Sequence, residues 1–572
     1  MYDTSRRQAF EELQKQRFDL IVIGGGITGA GIARDAALRG LQVVLVEKSD
    51  FGSGTSSKSS KLIHGGLRYL QHAEFGLVFE AVSERTLLLK LAPHLVKPQL
   101  FLVPTYKGHY PGRFVLGCGM WMYDALSKFA APDRHRAFRK KGVQQIEPTL
   151  RQDGLTGGVT YYDGMTDDAR LTLETLLDAQ NAGAKVLSYA RVRSFVEDET
   201  GAVQGVQISD VLDETSTATL LAKVTVNSTG PWSDLVLRLL RHNQPAPLVR
   251  PTKGVHIVVD AARLPVQHAV VMTVPKDGRI IFAIPWTDPE SSAASRTVIG
   301  TTDTDYHGDP DRIAADAADI DYLLDAANHY FPDTQLVPAD VLSTWAGLRP
   351  LVMPPSDGLD ASSVSREHRI LSRPGLLTII GGKLTTYRRM AAQLLSEAYK
   401  QLQIDEPPCA TNDRPLPGAK DIAPQTDETD PVATLRDELL QKNAPGIDRQ
   451  VAHHLAATYG VRARVIVDQL VQKLASGDSE AGERLDPELP FLYIEVDQAV
   501  TADLAVRLDD VLSRRLPLLL LARDQGLGCV DKVCARIGNV LGWSSERRQS
   551  ERLHYQDVVA LSRQWRSVPS GK

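Results

Sequence analysis

Between Ser59 and Leu70 the chain reads SSKLIHGGLRYL, with a lysine, a histidine, an arginine and a tyrosine placed around the Gly65-Gly66 pair. The string has neither a helical apolar stripe nor a strand alternation. Paired glycines mark backbone that turns sharply or runs close to something large, and cations around such a turn suit an anion. A second glycine pattern lies upstream. Gly24-x-Gly26-x-x-Gly29 falls where an apolar run ends and a helical pattern begins, and Glu47 closes the next apolar run 18 residues after Gly29. In such a unit the first glycine makes the tight turn, the second clears the path of a pyrophosphate and the third lets helix approach strand. The helix N-terminus faces the phosphates, and the acid accepts from ribose hydroxyls. The pattern predicts dinucleotide binding, and an acid at Glu47 argues against a 2′-phosphorylated ligand.

The elements that must carry these residues follow from periodicity. FDLIVIGGG (18–26) reads as a buried parallel strand, TGAGIARDAALRG (28–40) as a helix ending at Gly40, and LQVVLVEKSD (41–50) as a second buried strand. That is one right-handed βαβ unit. Residues 165–192 read as a helix, a Gly183 stop and a strand, and 193–228 and 253–300 are strand-rich. The stretch 404–431 has six prolines, many acids and few large apolar groups, so it reads as a linker or a long irregular crossing. Beyond it, 432–525 and 529–565 are helix-patterned.

Composition bounds the class. The 572 residues exceed one core. A net charge of −5 gives no basic field for nucleic acid. Four cysteines form neither a disulfide framework nor a metal-ligand pattern, which fits a reduced, cytoplasm-facing compartment and no metal centre. The first 17 residues carry no apolar core, so they read as a leader helix rather than a signal. The most apolar run, Leu516 to Ala522, is seven residues long and contains a proline, so no membrane span is expected.

Two distant segments favour a flavin as the dinucleotide. KVTVNSTGPWSDL (223–235) is a strand running into Thr229-Gly230, and LLTIIGGKLTTYRRMAAQLL (376–395) is a strand, a Gly381-Gly382 turn and a helix. Lys383 at that helix start suits the anionic edge of a reduced flavin.

Together with TSSKSSKLIHGGLRYL, VNSTGPWSDL, VIGTTDTDY (298–306), WAGLRPL (345–351) and GGKLTTYRRMA (381–391), the fingerprint resembles the FAD-dependent glycerol-3-phosphate dehydrogenases, in order from about 18 to 400. Ser228 stands where that family more often has alanine. The resemblance implies an α/β fold: a Rossmann-like FAD-binding domain, a β-sheet substrate domain and a C-terminal all-helical domain. The expected boundaries are a leader helix over 1–17, an FAD-binding domain from 18–96, 160–250 and 345–403, a substrate domain from 97–159 and 251–344, a linker over 404–431 and helices over 432–572.

The resemblance also implies oxidation of sn-glycerol 3-phosphate to dihydroxyacetone phosphate by hydride transfer from C2 to flavin N5, with electrons passed to a membrane quinone. Cofactor contacts are expected from Gly24, Gly26, Gly29, Glu47, Ser59, Ser60, Gly65, Gly66, Thr229, Gly230, Gly382, Lys383, Leu384 and Thr385. Substrate contacts are expected from Arg68, Tyr69, Arg349, Arg366, Lys383 and Thr385, since a phosphate dianion calls for cations and arginine offers a planar fork. Losing the hydroxyl proton calls for a base near neutral pKa, so His256 is the first candidate and His64 the competitor; alternatively an arginine such as Arg349 stabilises the developing alkoxide, and Lys383 completes the catalytic group. An oxidase that gives electrons to oxygen shares this pattern, and an amine- or amino-acid-oxidising flavoenzyme is the more distant alternative. The basic run 134–142, after the aromatic segment 120–130, is the candidate peripheral membrane surface. The C-terminal helices are a candidate homodimer contact or a cap.

Overall fold

The structure, a computed structural model, describes residues 2–66, 74–108, 112–126, 134–213, 215–242, 246–288, 291–353, 367–422 and 430–566. Arg68, Tyr69 and Arg366 lie outside the described residues, as do 127–130 of the aromatic segment.

Two sheets frame the molecule. The first orders its strands as Arg369–Arg373, Leu376–Ile380, Thr217–Asn227, Arg17–Ile23, Val43–Val46 and Lys185–Leu187. From Leu376–Ile380 onward the neighbours are parallel. Arg17–Ile23 sits centrally and is apolar on both faces for that reason. Leu20 and Val22 pack with the helices Ile27–Leu38 and Tyr387–Leu402, while Ile21 and Ile23 pack with Phe10 of the leader helix and with Phe195 and Val206. Each such side chain contributes about 1.5–3 kcal/mol on burial.

The second sheet runs through Val249–Asp260, Ser291–Gly300, Ile280–Asp288, Ala269–Thr273, Lys97–Tyr106 and Leu155–Met165, with Val341–Val352 paired along Val249–Asp260. The expected boundaries at 159/160 and 344/345 therefore cut through strands. Leu155–Met165 pairs along its length with Lys97–Tyr106, and Val341–Val352 with Val249–Asp260, so both belong to the second sheet.

The 404–422 stretch is the long irregular crossing, held by ion pairs and by Leu416, which is fully buried against Leu88, Leu95 and Tyr387. Arg39 pairs with Glu406, Arg414 with Asp178, and Arg34 donates to the Arg414 carbonyl. The C-terminal helices are anchored the same way. Arg170 and Glu174, on the helix Asp168–Asn181, pair with Asp503 and Arg462, and Arg515 pairs with Asp50 beside the end of Val43–Val46. The same helical domain also reaches the second sheet, where Ser343 donates to the Leu520 carbonyl at 2.6 Å and Arg296 to that of Leu521.

Candidate active site

The parallel strands bring their C-terminal loops to one edge of the first sheet: 381–385, 228–232, 24–27 and 47–51, in that spatial order. Ligands of open parallel sheets bind at that edge. Gly24 is at φ +107°, and a Cβ there would lie 2.9 Å from the Ser228 carbonyl oxygen. At Gly29 a Cβ would meet the Gly24 carbonyl oxygen at 1.9 Å, which is the close helix-to-strand approach expected of the third glycine. Beside Gly26 the nearest atom is Ser56 Oγ, which also accepts from the Ile27 amide at 2.9 Å. Glu47 is turned inward: its carboxylate accepts from the Gly25 amide at 2.7 Å and the Ser49 amide at 2.9 Å, and burial pushes it up. Ser228 donates to the Ile23 carbonyl at 2.9 Å, so the departure from alanine adds a hydrogen bond under the glycine turn. Thr229 closes on Asn227, and Gly230 is at φ +54° with no heavy atom nearer its Cβ position than 4.0 Å. The glycine-lined edge, opening from a helix N-terminus, fits a dinucleotide.

The string 59–66 is a meeting point for distant segments. Ser59 donates to Asp168 through its amide at 3.0 Å and its hydroxyl at 2.6 Å, and Lys61 Nζ reaches the other Asp168 oxygen at 2.6 Å. Asp168 is fully buried at the start of its helix. Trp345 Nε1 donates to the Ser59 carbonyl at 3.1 Å, and Ser60 Oγ lies 2.9 Å from His256 Nε2. The His64 amide donates to Thr385 Oγ1 at 3.1 Å, which joins the string to the 381–385 loop. The Gly65 amide donates to Asp163, and a Cβ at Gly65 would lie 2.0 Å from Tyr123 Oη, so glycine is required there by packing within the chain. Gly66, at φ +75°, completes the turn.

His256 stands opposite Gly300 and Trp345 in the second sheet and stacks on Trp345 with centroids 4.7 Å apart at 11°. Burial holds its imidazole well below the ordinary range, helped by Arg349 and Lys61, so the ring is neutral at neutral pH. Arg349 donates to Asp303 at 2.9 Å and to the Thr302 carbonyl at 3.2 Å. Its guanidinium lies over Gly254, where a Cβ would be 2.8 Å from Nη2, on the face of the strand that carries His256. Lys383 is half-buried ahead of the short helix that starts at Leu384, after Gly382 at φ +88°. His256, Ser60, Ser59, Lys61, Trp345 and Arg349 thus converge, with Thr385 and His64 linked at the other end of the string. Lys61, Asp168, Trp345 and Gly300 were not singled out from the sequence as site residues. Lys61 lies in the string itself, Trp345 in WAGLRPL and Gly300 in VIGTTDTDY, whereas Asp168 has only its place in the 165–192 helix-to-strand segment.

Loops of one parallel edge, tied through the 59–66 string to a second sheet, define a dinucleotide-binding fold. Residues 19–388 match the family described as FAD dependent oxidoreductase, and residues 409–548 match the C-terminal domain of alpha-glycerophosphate oxidase. The chain is 38% identical to a glycerol-3-phosphate dehydrogenase of Synechocystis sp., covering 96% of this chain and 98% of that one. It is 36% identical to the aerobic glycerol-3-phosphate dehydrogenase of Staphylococcus haemolyticus over 94% and 93%. The crystal structure of the glycerol-3-phosphate dehydrogenase from Bacillus halodurans, complexed with FAD, superposes with a TM-score of 0.79 at 31% identity over 99% of both chains. The chain belongs to the FAD-dependent glycerol-3-phosphate dehydrogenase family.

Proposed function

We propose that the protein oxidises sn-glycerol 3-phosphate to dihydroxyacetone phosphate and passes the electrons to a membrane quinone. The observation that carries this reading is the His256 imidazole with the Arg349 guanidinium on the same strand face: burial makes the ring a weaker base than the near-neutral one expected from the sequence, but leaves it unprotonated and able to accept, beside an anion-binding fork. When bound, FAD supplies the acceptor for the hydride leaving C2. The residues that would hold it are Gly24, Gly26 and Gly29, Glu47, Thr229 and Gly230, and the 382–385 loop. Arg349 and Lys383 bind the phosphate dianion and orient the substrate. His256 takes up the hydroxyl proton. His64 is the second base candidate; its backbone is tied to Thr385, whose Oγ1 accepts from the His64 amide and donates to its carbonyl.

A membrane acceptor is supported by one face of the molecule. Phe75, Phe79 and Trp121 are 43%, 40% and 57% exposed on two packed helices, and Trp121 meets His135 edge-on at 5.1 Å. Arg134, Arg136, Arg139, Lys140 and Lys141 follow, all exposed. Exposed aromatic rings beside basic groups suit an anionic bilayer surface. Among the described residues no helix is long and apolar enough to cross a membrane. The test is steady-state turnover with sn-glycerol 3-phosphate, comparing a ubiquinone analogue with oxygen and repeating both with anionic vesicles. Turnover is expected with the quinone, rising when vesicles are present. Hydrogen peroxide formed in step with substrate loss would instead make the enzyme an oxidase.

A further inference from the structure

His256 is only 2% exposed. One ring face is covered by Trp345, and a Cβ on Gly300 would lie 2.2 Å from Cδ2, so the backbone closes the ring edge. Nδ1 has no hydrogen-bond partner among the described residues. Among the described residues the imidazole's one hydrogen-bond partner is Ser60 Oγ, 2.9 Å from Nε2, and Ser60 is half-buried in the turn that Asp168 clamps through Ser59 and Lys61. A substrate hydroxyl therefore meets Ser60 before it can meet the ring.

We propose that Ser60 is a proton relay: the C2 hydroxyl of the substrate gives its proton to Ser60 Oγ while the Ser60 hydroxyl proton passes to His256 Nε2. This rests on the substrate reading above. The balance is complete. The substrate O–H and the Ser60 O–H bonds break, a new Ser60 O–H bond and an Nε2–H bond form, and the C2–H electron pair leaves as hydride to the bound FAD as the carbonyl forms. Accepting at Nε2 requires the neutral ring to carry its proton on Nδ1, the nitrogen that faces no acceptor. The imidazolium so formed is buried near Arg349 and Lys61, and a phosphate dianion at Arg349 offsets that repulsion. The Asp168 clamp is what makes a serine suitable: it holds the Ser59 amide and hydroxyl, that hydroxyl accepts from the Lys61 amide at 3.0 Å, and the backbone on either side of Ser60 is thereby fixed, leaving its hydroxyl only χ1 rotation.

The inference is tested by anaerobic stopped-flow reduction of the FAD-loaded enzyme by sn-glycerol 3-phosphate. Ser60→Ala is expected to bind FAD stoichiometrically and to hold substrate within about threefold of the parent, while its limiting reduction rate falls about 100-fold. Ser60→Thr keeps a hydroxyl and is expected to recover most of the rate. In a His256→Asn background, Ser60→Ala is expected to cost little more, because the two act in one path. An Ala variant that reduces at the parental rate overturns the relay, as does a Thr variant as slow as the Ala variant. Loss of FAD from both Ser60 variants would make the residue a cofactor contact instead. A parent enzyme that sn-glycerol 3-phosphate cannot reduce overturns the substrate reading, and the relay with it.

Discussion

Asp168→Ala is expected to destabilise the FAD-loaded protein by about 3–5 kcal/mol, read from the urea midpoint, because it strands the buried Lys61 ammonium. The carboxylate accepts from the Ser59 amide, the Ser59 hydroxyl, the Ala169 amide and Lys61 Nζ, all between 2.6 and 3.0 Å, with no solvent to replace any of them. The loss comes mainly from the uncompensated charge, so Asp168→Ala combined with Lys61→Met should recover much of the stability. Activity should not return with it, because the turn that presents Ser60 remains unclamped. An Asp168→Ala protein within about 1 kcal/mol of the parent would show that water or the Trp286 and Trp345 rings near Lys61 can carry the charge alone.

Acid should weaken the fold through His94. Its imidazole is 1% exposed, neither ring nitrogen has a hydrogen-bond partner among the described residues, and burial brings it down to about 4, with Glu174 opposing and Arg170 reinforcing the shift. Above its ordinary value near 6.5 the ring is neutral in both the folded and the unfolded chain. As pH falls below that value the unfolded chain takes up a proton that the folded chain refuses, so stability drains away until pH reaches about 4. The full loss is about 3 kcal/mol for this one group. His94→Gln removes the titration, so its urea midpoint should fall less steeply than the parent's between about pH 6.5 and 4. Parallel slopes in the two proteins would mean that His94 gains a partner, or water, as pH falls.

The features that could be read from the sequence are the local ones. Gly24, Gly26, Gly29 and Glu47 sit within one βαβ unit, so glycine spacing and two apolar runs suffice to place them. The Gly381-Gly382 turn and Thr229-Gly230 could be read the same way, as strand ends. What could not be read is pairing across the chain. Nothing near Ser59 points to Asp168, 109 residues away, and nothing near Ser60 points to His256, 196 residues away. The string's glycines also have a second cause: Gly65 is small because Tyr123 and Val82 occupy the space of its Cβ. The boundaries at 159/160 and 344/345 failed because the strands there are defined by partners in another part of the sequence, not by a break in composition. The 404–422 crossing reads as loose because most of its anchors are charged side chains, which in a proline-rich run read as solvated, and its apolar anchor, Leu416, is a single isolated residue.

The most direct test of the substrate class is the absorbance of the FAD-loaded protein under argon, before and after sn-glycerol 3-phosphate, with glycerol and an amino acid as controls. Bleaching of the oxidised-flavin bands by the phosphate ester alone is the result expected of the proposed dianion binding by Arg349 and Lys383. A flavin that stays oxidised with sn-glycerol 3-phosphate, or that bleaches equally with glycerol or the amino acid, would contradict a phosphate-binding site and leave only the FAD-binding fold standing.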